Sequence, residues 1–102
     1  MDTENLIAHA RARFEHAAAK RLLKEKYQGK MTFAYRGGMW SAGPELNATI
    51  FTCGRTGDVV LLDLYDTPVK VDTAELMKLS QERYNEQMNA WLVEFEQTTK
   101  NR

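Results

Sequence analysis

The stretch Met31-Thr32-Phe33-Ala34-Tyr35-Arg36-Gly37-Gly38-Met39-Trp40-Ser41 decides the fold class. Large and small side chains alternate from Met31 to Tyr35, the period of a half-buried strand. Gly37-Gly38 suits a two-residue hairpin turn, because glycine takes positive φ without steric cost. Met39-Trp40-Ser41 is then the return strand. A large side chain just after a turn is expected to stay partly exposed, which marks Arg36 and Gly37–Trp40 as a candidate binding loop.

C-terminal to this hairpin, Ala42-Gly43-Pro44-Glu45-Leu46 carries a helix-start signal, since proline fits a first helical position and glutamate suits the dipole there. The spacing favours a short helix over Pro44–Phe51. The β-branched and aromatic run Asn47-Ala48-Thr49-Ile50-Phe51-Thr52 keeps a strand open as the alternative. Gly54-Arg55-Thr56-Gly57-Asp58 reads as a loop. It lacks the Gly-Lys-Ser/Thr ending of a phosphate-binding loop. Val59-Val60-Leu61-Leu62-Asp63-Leu64 is the most apolar run and predicts a central strand. Tyr65-Asp66-Thr67-Pro68 is a turn, and Val69-Lys70-Val71 pairs back.

A helix flanks this middle on each side. The first is predicted from Thr3 or Glu4 to Tyr27, capped by Asp2 or Thr3 and ended by Gly29 in a left-handed conformation. Ile7, Ala10, Phe14, Ala18 and Leu22 form its apolar stripe. The last helix is predicted from Thr73 to about Gln97. Asp72 caps it, and Glu75 is placed to complete a capping box. Met77, Tyr84, Met88, Trp91 and Phe95 form its bulky stripe, widened by Leu76, Leu79 and Leu92. The expected fold is α+β, with long terminal helices packed on one face of a small antiparallel sheet of about four strands. The expected plan is one domain over 1–102, with a basic helix at 1–29, a β-rich middle at 30–71, an acidic helix at 72–98 and a frayed tail at 99–102.

Charge refines that plan. The 102 residues hold 14 acidic side chains and 14 Lys plus Arg, so the whole chain is not a phosphate-neutralising basic protein. Residues 1–30 nevertheless carry seven cations and four anions, a net +3, and residues 72–102 carry four cations and six anions, a net −2. Helices of opposite sign suit packing within a chain or between two chains, and a homodimer through the terminal helices is expected. His9, Arg13, His16, Lys20 and Lys24 fall on one side of the first helix, opposite Ile7 and Phe14. This row suits an acidic protein partner or, as the alternative, a nucleic-acid backbone.

Catalytic chemistry finds little footing. Cys53 is the single cysteine, which excludes an internal disulfide and Cys-based zinc sites. It reads as a small buried hydrophobe. His9 and His16 sit about 10 Å apart along a helix and cannot share a metal. Asp58, Asp63, Asp66 and Asp72 fall at turns and strand ends, where aspartate serves the backbone. Ser41, Ser80 and Cys53 have no evident base beside them. No catalytic residue, metal ligand or cofactor is expected, and the chain reads as a non-enzymatic binding protein. Its candidate partner-binding residues are Arg13, His16, Lys20, Lys24, Arg36, Met39 and Trp40.

Two stretches, taken in order, resemble small proteins encoded by contractile-tailed bacteriophages of the T-even kind. One runs from Tyr35 through Gly37-Gly38 and Met39-Trp40 to Pro44-Glu45-Leu46. The other runs from Leu61 through Tyr65-Asp66-Thr67-Pro68 to Asp72, and continues through Arg83-Tyr84 to Met88-Asn89-Ala90-Trp91. The resemblance implies a phage context, in virion assembly or in binding a host protein, and assigns no role to any residue. It implies a place in the bacterial cytoplasm or the virion. The opening Met1-Asp2-Thr3-Glu4 lacks the basic-then-apolar order of a secretory signal, and no apolar run reaches the ~20 residues of a membrane span.

Overall fold

A computed structural model of the chain describes residues 3–54 and 57–100. The order of elements is α1 (Thr3–Lys30), β1 (Thr32–Tyr35), β2 (Gly38–Ser41), α2 (Pro44–Thr52), β3 (Asp58–Leu62), β4 (Pro68–Asp72) and α3 (Thr73–Lys100). The class is α+β, as expected, and the helical reading of Pro44–Phe51 holds. The four strands form two separate antiparallel pairs, β1–β2 and β3–β4, rather than one continuous sheet. The molecule is elongated, measuring 65 × 24 × 23 Å.

The first hairpin turns one residue earlier than its glycines suggest. Tyr35 pairs with Gly38. The turn is therefore Arg36–Gly37, both at positive φ (49° and 81°). That is the geometry whose twist matches the strands. Gly38 opens β2 instead. A Cβ there would lie 3.0 Å from Val69 Cγ2 and 3.2 Å from Trp40 Nε1, so this glycine serves close packing between the two hairpins. Cross-strand partners share a face, so Trp40, opposite Phe33, points inward with it. Trp40 is 2% exposed and donates its Nε1–H to the Tyr35 carbonyl at 3.1 Å. The expectation of a partly exposed tryptophan is therefore corrected.

The second hairpin corrects another expectation. β3 is not a central strand: it pairs with β4 alone. Val59 and Leu61 turn toward the core, while Val60 and Leu62 stand in solvent. Asp63 organises the turn that follows. Its Oδ1 accepts from the amides of Tyr65 (2.9 Å) and Thr67 (3.0 Å), and its Oδ2 accepts from the amide of Met39 (3.1 Å). Backbone hydrogen bonds from Thr67 and Met39 chiefly, with Tyr65 adding to them, hold this carboxyl below the usual aspartate range.

Asp72 caps α3 as expected, accepting from the amides of Ala74 (3.0 Å) and Glu75 (3.3 Å). Glu75 does not close a capping box. Its Oε2 instead accepts from the Tyr35 hydroxyl at 3.0 Å. The core comprises Met31, Phe33, Tyr35, Trp40, Ala42, Ile50, Val71 and Leu76, with Val71 and Leu76 fully buried. Ser80, also fully buried, ties α2 to α3. Its hydroxyl accepts from the Gly43 amide (3.2 Å) and donates to Asn47 Oδ1 (2.7 Å).

The long helices differ from expectation at their ends. α1 continues through Gly29, which keeps helical backbone and does not form a left-handed cap. The backbone of α3 is helical to Lys100, beyond the expected stop near Gln97. The proposed cap Asp2, loop residues Arg55 and Thr56, and the last two tail residues lie outside the described residues. Nor do both helices cover one face of a sheet. α1 touches the strands at β1, while α3 packs on β4 and α2.

Candidate interaction surfaces

α1 and α3 run antiparallel and meet over a short length. Tyr27 stacks on Trp91 with ring centroids 6.0 Å apart and planes 6° from parallel. Lys26 Nζ lies 2.7 Å from Glu94 Oε1, and the Tyr27 hydroxyl donates to the same oxygen at 3.3 Å. The Lys26 hydrogen bond lowers the Glu94 pKa, and the same bond raises that of Lys26. The expected attraction between basic and acidic helices is thus realised within one chain.

From this junction the helices continue by unequal amounts. α3 runs about 9 Å beyond Glu94, whereas α1 runs about 34 Å back from Lys26 toward its start. The N-terminal part of α1 therefore projects as an arm past the end of its neighbour. Leu6, Ile7, Phe14 and Leu22 are all more than half exposed on it, with Phe14 at 73%. The apolar stripe read from the sequence exists as a surface and not as core. Phe14 precedes Tyr27 by 13 residues, a rotation of about 140° at 100° per residue, so the stripe faces away from α3.

The cationic row lies on the other side. Lys20 and Tyr27 are seven residues apart and His16 and Tyr27 eleven, so all three lie on nearly one azimuth. The row thus continues the side of α1 that meets α3 and runs out beyond the end of α3. Arg13, Lys20 and Lys24 are exposed, and none forms an ion pair with another described residue. His16 differs from them. It is half-buried, and its Nδ1 is shut off from solvent without a hydrogen-bond partner.

The structure separates the Arg36–Trp40 turn from this row and gives it a structural role. Arg36 folds over the Tyr35 ring at 5.4 Å and reaches Asp58 Oδ1 (3.8 Å) and Glu75 Oε2 (3.6 Å). It joins the first hairpin to β3 and α3. Met39 is half-buried, with its amide on Asp63 and its carbonyl accepting from Leu64 at 2.8 Å. With Trp40 in the core, this turn offers a partner part of Arg36 and little else. A signal for this was present in the sequence. Any two-residue turn here places Trp40 on the same face as Tyr35.

Two further surfaces went unread in the sequence. Val60, Leu62, Leu64 and Tyr65 make an exposed apolar side on the second hairpin. A cleft of about 530 Å³ lies between the first hairpin, the start of α2 and α3, with Met31, Tyr84, Met88 and Trp91 in its wall. Among the described residues no group of three His, Cys, Asp or Glu side chains could hold a metal ion. Asp58 and Asp72 stand opposite each other at the open end of the β3–β4 pair, and Asp63 and Asp66 lie in the turn at its other end. Cys53 is half-buried rather than buried, with its thiol donating to the Ile50 carbonyl at 2.9 Å. No described helix is long and apolar enough to cross a membrane. The chain matches no protein-family model, no curated protein and no solved structure.

Proposed function

We propose that the chain is a non-enzymatic protein-binding factor whose α1 arm receives an acidic helical segment of a partner. The observation that carries this reading is the overhang of α1. The side of the helix that meets acidic α3 at Lys26 and Tyr27 continues past the end of α3, with Lys24 and Lys20 exposed level with its last turns, Arg13 exposed beyond it, and all three unpaired to other described residues. An acidic helix placed in line with α3 would repeat the Lys26–Glu94 contact at Arg13, with Lys20 at the junction of the two helices. The resemblance to small T-even-like phage proteins supports a role in virion assembly or in engaging a host protein.

The same cations suit a nucleic-acid backbone, so the test carries both probes. The full chain is titrated against a fluorescent acidic helical peptide, with Glu at four-residue spacing and Leu on one face. It is titrated separately against a 20-base-pair duplex. The expected result is saturable peptide binding, weakened about tenfold or more in Arg13→Glu/Lys20→Glu, which reverses two charges. Peptide binding that the double variant leaves unchanged would overturn the placement. Duplex binding that is tighter than peptide binding, and falls steeply with salt, would move the function to nucleic acid.

A further inference from the structure

The apolar side of the arm has a symmetry of its own. Leu6, Ala10, Phe14, Ala18 and Leu22 follow one another at intervals of four, so they form a single ridge along α1. The ridge reads the same in both directions: leucine, alanine, phenylalanine, alanine, leucine. A two-fold axis at Phe14 sets Leu6 against Leu22 of a second copy and Ala10 against its Ala18. We propose that a second copy of this chain covers this ridge, the two α1 helices pairing antiparallel about Phe14.

Three features of the arm support that occupant. Ridges at four-residue spacing pack against each other with axes crossing near −50°, and small residues beside a large one allow close approach. The alanines at 10 and 18 flank Phe14 on both sides and leave room for the ring of the second copy. The leucines and Phe14 are already in solvent, so covering them costs no rearrangement of the folded end. Charge also fits. In an antiparallel pair, residues on the same flank of each helix meet. Arg11 and Glu15 share one flank, and the two-fold axis brings Arg11 of each copy beside Glu15 of the other. Both are exposed, and neither pairs with another described residue.

This pairing differs from an exchange of basic α1 and acidic α3 between chains, because that attraction is satisfied within each chain at Lys26–Glu94. Its centre also stands apart from the acidic-partner reading, because Phe14 lies about 80–160° around the helix from Arg13, His16, Lys20 and Lys24, although Leu6 at the end of the ridge shares the side of the row. A dimer built this way leaves Lys20 and Lys24 open on each copy.

Sedimentation velocity of the full chain over a range of concentration and salt tests the proposal. The expected result is a monomer–dimer equilibrium that persists at high salt, as apolar pairing requires. Phe14→Glu should weaken it about 30-fold or more while far-UV and near-UV circular dichroism stay unchanged. Arg11→Glu and Glu15→Arg should each weaken it roughly 3- to 10-fold, since each brings like charges together twice. Mixing these two variants should restore association, because both cross-chain pairs are then Glu with Arg. Rearranged pairing inside one helix cannot produce that rescue. A wild-type monomer at all concentrations would overturn the proposal, as would a dimer that Phe14→Glu leaves intact or a mixture no tighter than its parts.

Discussion

The two ends of this molecule use similar helices for different purposes. At one end, the first two turns of α3 bury Leu76 and Ser80 and hold Asp72, Tyr35 and Glu75 in one hydrogen-bonded cluster. At the other end, the first half of α1 presents Leu6, Ile7 and Phe14 to solvent. Both segments carry amphipathic patterns. Apolar spacing therefore assigns a helix and a face, and the presence of a neighbour decides whether that face becomes core or interface.

That contrast makes mutational predictions, ordered here by size. The largest effect belongs to the folded end. Trp40→Ala empties the middle of the core and should cost about 3–5 kcal/mol in denaturant unfolding. A loss below about 1 kcal/mol, the size of a surface change, would break the contrast. Next is Gly38→Ala, whose new Cβ meets Val69, Asp63 and Trp40 at 3.0–3.2 Å. Overpacking there should cost about 1–3 kcal/mol. Asp72→Ala removes the cap of α3 and should cost about 1 kcal/mol by the same assay.

Asp63 sharpens the comparison through pH. Its folded-state pKa is depressed by three backbone donors. The stability it contributes is therefore complete above the unfolded aspartate value of about 3.9, and is lost as pH falls through the lower folded value. Asp63→Asn should flatten the acid limb of a stability-versus-pH curve below that point. An unchanged acid limb would remove Asp63 as the organiser of the second hairpin turn. The smallest effect belongs to the arm. Phe14→Ala, measured at a concentration where the chain is monomeric, should shift stability by no more than about 0.5 kcal/mol.

Much of the fold was legible in the sequence because local chemistry dictated it. Pro44 and Glu45 start α2, Asp72 caps α3, and the alternation from Met31 to Tyr35 sets the inward face of β1. Departures arise where a residue serves a distant contact. Gly38 looked like half of a turn, but its missing side chain admits Val69, so the turn moved to Arg36–Gly37. Arg36 tolerates its positive φ while lying over Tyr35 and reaching Asp58 and Glu75, partners 22 and 39 residues away that no local pattern announces.

The candidate site was legible in part. Helical spacing put Arg13, His16, Lys20 and Lys24 on one side of α1 and the stripe from Ile7 through Phe14 to Leu22 on another, and both segments lie within the helix of the structure. The length by which α1 overhangs α3 was not legible, because it depends on where Tyr27 meets Trp91. The stretch Val59–Leu64 misled because continuous apolarity usually marks a strand covered on both faces. Here the second hairpin has one covered face, and Val60 and Leu62 remain outside.

The most direct test of the central claim, that the arm of α1 is an interface and not part of the folded core, is amide hydrogen exchange at two protein concentrations. An unsupported helical segment of this length is marginal in water. The account predicts that amides from Ile7 to Phe14 exchange quickly when the chain is dilute and slow markedly as copies associate. Amides of Val71 and Leu76 should stay protected at both concentrations. Amides of the arm that are as protected as those of Leu76 in dilute solution would contradict the account.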